Sequence, residues 1–544
     1  MILIVNKTNQ IEPTALSGLV EIDKDIFVNN HNSNYEGLLY TGSFEEHSAL
    51  PNLEDAPQGE YTRTFIDDDR IIVYVDPNGF NHLYFYDENG IKIVSNSFEE
   101  ILGILHKSNI QYSKNQNVIA SAMLIGAPLY PGTGIKEIQL LTTNEYIFLN
   151  RRTGDLEVCK RNYWEFMLNV YTGKYKYKDL LFSAANRLKK ATSDFIEANR
   201  TKHGIAEITG GLDSRMVLAT LLSINYKEFS VYTFGKKDSF DQRYSQLVQN
   251  LFELDTISYV NDKTRIQAAK DNYMLTAGAF IPVDISYRSI YKRNNYFSFA
   301  GTGGELCRGY YFKNTFKKYI KELSNINNFS NRELFKLLVL QFSNCSLLNE
   351  DFVESLAKQC EEYYSGYKLS KELYLLLDYS FFQCRVRWHC GKQMQYRNQN
   401  YLNTISPLND FIFHSLSFAI NGYKRVSDLN VLNLLDILYP PLKYFPYQDN
   451  NPFGNLDKER ITFSLPKERT SISKQSIGLP NKDNALVEEP DLSSVDHLFD
   501  RFVEEGYREF FDIEKFKNLC KNPEAKKKLV ERISPLLFWD HFIK

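Results

Sequence analysis

What this chain can become is set first by a pair of glycines between an apolar run and a helical pattern. Gly204–Thr209 (GIAEIT) reads as a short apolar strand, Gly210-Gly211 as a turn and Asp213–Leu222 as a helix. Phe229–Phe234 repeats the strand pattern and Ser239–Phe252 the helix. Strands alternating with helices predict a parallel sheet joined by crossover helices. In such a sheet ligands bind beyond the carboxyl ends of the strands, where Thr209-Gly210-Gly211-Leu212-Asp213-Ser214 falls.

The residues of that loop suit a phosphate. Glycines permit positive φ and close backbone approach. Successive N–H groups can cradle an anion, and the following helix points its positive end at the same spot. Thr209 and Ser214 add hydroxyls. Asp213 repels a phosphate unless a cation lies between them, so it implies Mg²⁺. No G-x-x-x-x-G-K-[ST] segment occurs, so this is not a Walker loop. A plain Gly-Gly turn with a capping Asp is the bland competitor; the order strand, loop, helix argues against it.

Upstream the pattern is mostly β. Arg70–Val75, His82–Tyr86, Ile91–Val94 and Glu145–Leu149 read as strands, with turns at Asp76-Pro77-Asn78-Gly79 and Asp87-Glu88-Asn89-Gly90. Ser97 is placed to cap a helix running to Leu105, with Glu99 and Glu100 in its first turn. Asp179–Asn199 is a long helix. From about Asn314 the chain reads as mainly helical, with loops at Asn325–Asn331 and Asp449–Leu456. The polar stretch Ser471–Pro490 is the best candidate for a mobile segment. A chain of 544 residues exceeds one core, and the change of pattern divides it into 1–160 and 175–544.

A net charge of -3 lacks the basic footprint of a nucleic-acid binder. No run approaches the ~20 apolar residues of a membrane span, and MILIVNK is too short for a signal peptide. A soluble, cytoplasmic protein is expected. Cysteines stand at Cys159, Cys307, Cys345, Cys360, Cys384, Cys390 and Cys520, with no C-x-x-C pair and only His389 beside the close pair Cys384 and Cys390. That spacing predicts reduced thiols rather than a zinc site.

Gly-Gly-x-Asp-Ser resembles the S-G-G-x-D-S signature (PP-loop) of the N-type ATP pyrophosphatases, with Thr209 for the first Ser. Val231-Tyr232-Thr233-Phe234-Gly235 resembles the strand that lines the adenine pocket in the asparagine synthetase-like superfamily, and Asp241 falls where that family opens a helix with Asp. Phe299–Tyr310 (FAGTGGELCRGY) is similar to the family's G-E-G-x-D-E-L-F-G-G-Y loop, which grips pyrophosphate and Mg²⁺. Here Thr302 replaces Glu and one acidic residue of the pair is missing. Ser406–Asp410 resembles R-x-P-F-L-D, with Pro407 and Asp410 matching and Ile405 in place of Arg. Gln58-Gly59-Glu60-Tyr61, Asp76-x-x-Gly79, Leu83–Tyr86, Val94-Ser95, Thr133–Ile138 and Thr143–Tyr146 resemble the glutaminase domain of asparagine synthetase.

The resemblance implies an α/β chain of two parts. The first is an Ntn-hydrolase-like αββα glutaminase-type domain. The second is a Rossmann-like adenine-nucleotide α-hydrolase domain with a helical C-terminal region. It implies ATP on Thr209, Gly210, Gly211, Leu212, Asp213, Ser214, Phe234, Gly235, Asp241, Gly301, Gly303 and Gly304, and Mg²⁺ on Asp213 and Glu305. Glu305, Arg387 (in RVRWHCGKQM) and Lys443 (in YPPLKYFPY) take the catalytic places. A glutaminase of this kind uses a Cys at the mature N-terminus. The sequence begins Met1-Ile2-Leu3 and its first cysteine is Cys159, so no glutaminase activity is expected. The β-lactam synthetases and lasso-peptide cyclases of the superfamily use an amine already on the substrate.

The expected function is an ATP-dependent ligase that adenylates a small-molecule or peptide carboxylate and joins it to an amine or ammonia, with no nucleic-acid or membrane partner. Three rivals stand beside it. One is an ammonia-dependent asparagine synthetase, against which Thr302 and the missing Arg count. Another is a tRNA-modifying or sulfur-transfer pyrophosphatase, which would show basic modules and catalytic cysteines. The last is a degenerate scaffold that binds nucleotide or a partner without turnover.

Overall fold

The structure is a computed structural model that describes residues 2–8, 10–29, 34–44, 49–233, 239–261, 274–279, 288–289, 295–308, 330–340, 348–365, 373–400, 402–420, 428–447, 475–477 and 512–522. It is a mixed α/β architecture with antiparallel and parallel sheets.

Among the described residues eleven strands precede the first long helix: β1 (Ile2–Asn6), β2 (Val20–Asp23), β3 (Ile26–Val28), β4 (Asn34–Thr41), β5 (Gln58–Ile66), β6 (Arg70–Val75), β7 (Tyr84–Glu88), β8 (Ile91–Ser95), β9 (Ile138–Leu140), β10 (Glu145–Asn150) and β11 (Asp155–Lys160). They form a six-stranded sheet, β2-β3-β1-β8-β7-β9, and a five-stranded sheet, β11-β10-β6-β5-β4. Alternation along each strand decides what lies between them. Leu3, Val5, Val28, Phe85 and Val94 of one sheet meet Ile71, Val73, Val75, Ile147 and Leu149 of the other in a single core. The opposite face of the six-stranded sheet, with Ile2, Ile4, Tyr84, Tyr86, Ile91 and Ile93, packs with α1 (Phe98–Lys107) and α2 (Gln116–Ile125). Each such apolar side chain contributes about 1.5–3 kcal/mol over leaving it in water.

Ser97 caps α1 as its sequence predicts, accepting from the Glu100 N–H at 3.2 Å. The strand read at His82–Tyr86 starts two residues late, because His82 is drawn out of the ladder. Its Nε2 lies 3.1 Å from the Arg387 carbonyl oxygen and must carry the proton, leaving Nδ1 to accept from the Tyr84 hydroxyl at 3.2 Å.

After α3 (Tyr163–Tyr171) and α4 (Tyr177–Ala198) come β12 (His203–Glu207), α5 (Leu212–Ser223), β13 (Phe229–Tyr232) and α6 (Phe240–Phe252). The expected parallel sheet is present: β13-β12-β16-β17, with β16 (Tyr296–Phe299) and β17 (Thr404–Ile405), every pairing parallel. A smaller sheet joins β14 (Ile257–Asn261) to β15 (Arg288–Ser289) and β18 (Gln475–Ile477). Thus the polar stretch at 471–490 supplies a short parallel strand, beside Ile257–Tyr259. The rest of that stretch, and Asp449–Leu456, lie outside the described residues. The loop read at Asn325–Asn331 is described only at its end, where Asn331 opens a helix to Leu340.

The remaining described segments are largely helical, at Asn331–Leu340, Glu350–Tyr364, Leu373–Phe381, Gln393–Asn400, Leu429–Leu438 and Ile513–Cys520. Between Phe381 and Gln393 the backbone winds as a buried π-helix, Phe382–Lys392. Among the described residues no helix is long and apolar enough to cross a membrane. Cys159, Cys307, Cys360, Cys384 and Cys390 are free thiols.

The antiparallel half is bound to the parallel half by a set of polar contacts. Asp410 caps a short helix by accepting from the Phe413 N–H at 2.9 Å. Its other oxygen accepts from Arg187 Nε at 2.7 Å and Gln58 Nε2 at 2.5 Å. Asn409 accepts from Asn78 at 2.9 Å and donates to the Gly59 carbonyl at 3.2 Å. A small crevice lined by Gln58, Asp76, Asn78, Arg187 and Asp410 lies here, and no residue of either Gly-rich loop lines it.

Candidate functional site

β12 stops at Glu207, and the chain turns through Thr209–Gly211 into α5. Ser214 holds the turn shut: its Oγ donates toward the Thr209 carbonyl at 2.9 Å and accepts from the Thr209 N–H at 3.1 Å. The Gly210 N–H donates to Asp241 Oδ1 at 2.8 Å, which draws the start of α6 onto the loop. Gly211 is the N-cap of α5 and brings no side chain to cap its first turn. The positive end of a 12-residue helix therefore opens at the loop. Gly210 is required sterically, since a Cβ there would lie 2.0 Å from Phe240 Cε1.

The second Gly-rich loop, Gly301–Arg308, follows β16 and lies directly on the first. A Cβ at Gly301 would stand 2.8 Å from the Ser214 nitrogen, and one at Gly304 would stand 2.3 Å from Asp213 Oδ1. Gly303 has φ +88°, a left-handed conformation that glycine adopts without strain. Ser406 donates to the Thr302 carbonyl, tying β17 to the same loop. The structure thus assembles Thr209–Ser214, Asp241, Gly301, Gly303, Gly304 and Glu305 in one place. Phe234 and Gly235 lie outside the described residues.

Charge is concentrated at Asp213. Its Oδ2 is 2.7 Å from Arg308 Nη2, while its Oδ1 is enclosed and has no hydrogen-bond partner among the described residues. Burial pushes the Asp213 carboxyl up to about 6; Arg308 opposes this, while Glu305 and Asp428 add to it. Burial works against the Arg308 charge, yet Asp213, Asp428 and Glu305 hold it above the ordinary arginine value. Glu305 accepts from the Cys390 thiol at 3.1 Å. Burial and the neighbouring Glu305 raise the Cys390 pKa well above the ordinary value, which keeps it a protonated donor. Among the described residues no group of three or more His, Cys, Asp or Glu is placed to hold a metal ion. The spare Asp213 oxygen, with Glu305 beside it, fits a cation that takes its other ligands from a phosphate.

The other two residues expected to be catalytic are engaged elsewhere. Arg387 is fully buried in the π-helix, donating from Nε to the Gly79 carbonyl at 2.9 Å and from Nη1 to Gln383 at 3.1 Å. Its Nη2 is enclosed without a partner among the described residues. Lys443 pairs with Asp436 at 2.7 Å. It stands on the 3-10 turn Pro440–Tyr444, whose neighbourhood serves the first loop through backbone atoms instead. Arg215 reaches from α5 to the carbonyls of Leu442, Phe445 and Pro446, at 3.1, 3.2 and 2.8 Å. Its guanidinium also lies over the rings of Tyr447 and Tyr244, at 4.1 and 5.0 Å.

The sequence reading missed Arg215, Phe240, Arg308 and Cys390. Arg215 carried a usable signal: a cation in the first turn of a helix opposes the dipole, so it needs other partners. No protein-family model matches this chain, and no curated protein sequence does either.

Proposed function

We propose that this chain is an ATP-dependent carbon–nitrogen ligase that adenylates a carboxylate with release of pyrophosphate, and then forms an amide as an amine or ammonia displaces AMP. In this reading the antiparallel sandwich is the Ntn-hydrolase-like part. The open parallel sheet is the Rossmann-like nucleotide part. The observation that carries it is the apposition of two Gly-rich loops, both at carboxyl ends of parallel strands, around one carboxylate with an enclosed oxygen at a helix N-terminus.

The first-turn N–H groups of α5 receive phosphate oxygens, and the Thr209 hydroxyl, which lies 3.0 Å from Ser214 Oγ and accepts from the Gly211 N–H at 3.2 Å, turns to join them. Asp241 keeps Gly210 in the geometry that leaves them open. Asp213 and Glu305 hold Mg²⁺, which when bound neutralises the charge building on the departing pyrophosphate. Gly301 and Gly304 let the second loop close over the first and limit water at the acyl-phosphate bond. A nucleotide-binding scaffold without turnover is the second reading, favoured by the Arg308 guanidinium already seated on Asp213.

Calorimetric titration of Mg-ATP into the wild type and Asp213→Ala tests the site. Saturable binding that the variant loses supports it, and pyrophosphate release with a panel of carboxylates then separates ligase from scaffold. No binding by the wild type at millimolar nucleotide, or turnover that yields ADP, sinks the ligase.

A further inference from the structure

Arg308 closes the 3-10 turn Gly304–Cys307 and is not used by the mechanism above. Its Nη2 meets Asp213 Oδ2 at 2.7 Å, with only 20% and 27% of the two side chains open to solvent. A finished structural ion pair satisfies the hydrogen-bonding capacity of both members. This one does not. Arg308 Nε and Asp213 Oδ1 are each enclosed, and neither has a hydrogen-bond partner among the described residues.

The two partners differ in freedom. Asp213 is wedged, because Gly304 packs so closely that a single added carbon would come within 2.3 Å of its Oδ1. Arg308 hangs on a long, rotatable stem, and its planar fork matches the oxygens of a phosphate. We propose that Arg308 is a phosphate-binding residue of the nucleotide site, held on Asp213 in the free protein and transferred to the terminal phosphates when they bind. The exchange leaves no buried charge alone. The arriving cation takes the carboxylate that Arg308 releases, and the guanidinium takes the phosphate anion.

The proposal rests on the nucleotide reading above, and the experiment separates the two. Mg-ATP, AMP and inorganic pyrophosphate are titrated separately into the wild type, Arg308→Gln, Arg308→Lys and Asp213→Ala, with thermal melts to confirm folding. Arg308→Gln is expected to weaken ATP and pyrophosphate about ten- to a hundred-fold while AMP changes by less than about two-fold. Arg308→Lys keeps part of the affinity through its charge and carries the test if the glutamine variant fails to fold. Unchanged or tighter ATP binding in both variants overturns the Arg308 assignment and leaves the nucleotide site standing. So does an equal loss of ATP and AMP in Arg308→Lys, which would mark a structural role. A wild type that binds none of the three ligands overturns both.

Discussion

Replacing Glu60 by glutamine should abolish a pH dependence that the wild type carries. Glu60 lies on β5, buried, between the Tyr40 hydroxyl and Asn398 Nδ2, the latter at 3.1 Å. Burial, with a contribution from Asp76, pushes its carboxyl from 4.5 up to about 8, against the pull of those two hydrogen bonds. The folded pKa is above the unfolded one, so the folded state keeps an extra proton between them. The stability this supplies is complete below 4.5 and is lost as pH rises through 8. The slope cannot exceed about 1.4 kcal/mol per pH unit, so pH 5 to pH 8 costs the wild type about 3–4 kcal/mol. That is a large part of the ~5–15 kcal/mol typical of a domain. The neutral amide of Glu60→Gln has the shape of the protonated acid and no titration. The two proteins should match near pH 5 and diverge by several kcal/mol near pH 8, with the variant the more stable. Circular dichroism melts at intervals over that range measure it. Parallel profiles would show that Glu60 holds no extra proton, and would refute the reasoning.

Lys392, buried and pushed from 10.5 down to about 7 by burial with Arg387 nearby, has the opposite sign. Its folded pKa is depressed, so its contribution is complete above 10.5 and lost as pH falls through 7; Lys392→Met should be relatively most stabilising below pH 7, read by the same melts. Gly304→Ala should weaken Mg-ATP at least about ten-fold and cost about 1–3 kcal/mol of stability, because the methyl displaces Asp213; calorimetry and melts report both. Gly210→Ala should lose binding through its collision with Phe240, and Phe240→Ala in the same chain should restore part of it if sterics is the cause. Asp241→Ala should cost about 1–2 kcal/mol by removing the acceptor of the Gly210 N–H, and should loosen the loop as seen by faster amide exchange there.

The alternation from Gly204 to Phe252 is legible in the sequence because two short runs, each too short for a helix, are set off by the Gly-Gly turn and by polar turns from longer runs that are not. Ser97 is legible as a cap because capping is local chemistry. β18 is not, since a three-residue edge strand is held by backbone hydrogen bonds that any side chains permit. β7 is misplaced by two residues for a tertiary reason, the carbonyl of Arg387, which no local window contains. The meeting of Asp213 with Gly304 spans 91 positions, and only the glycine runs at both ends hint at it. The Arg308–Asp213 pair is invisible for the same reason, although a cation inside a Gly-rich run invites the search for its partner.

The π-helix at Phe382–Lys392 has a consequence for how the chain can change length. Wide helical turns of this kind are rare and are commonly kept where something else depends on them. Deleting one residue would let the segment close as an α-helix with better backbone bonding, so a local selection for stability would favour the loss. The same deletion would turn Gln393–Asn400 by about 100° against everything upstream. Arg397 would leave Glu207 at the foot of the first loop, and Asn398 would leave Glu60. The wide turns therefore act as a ratchet: chains that keep these contacts should tolerate substitutions through this stretch far more readily than gaps.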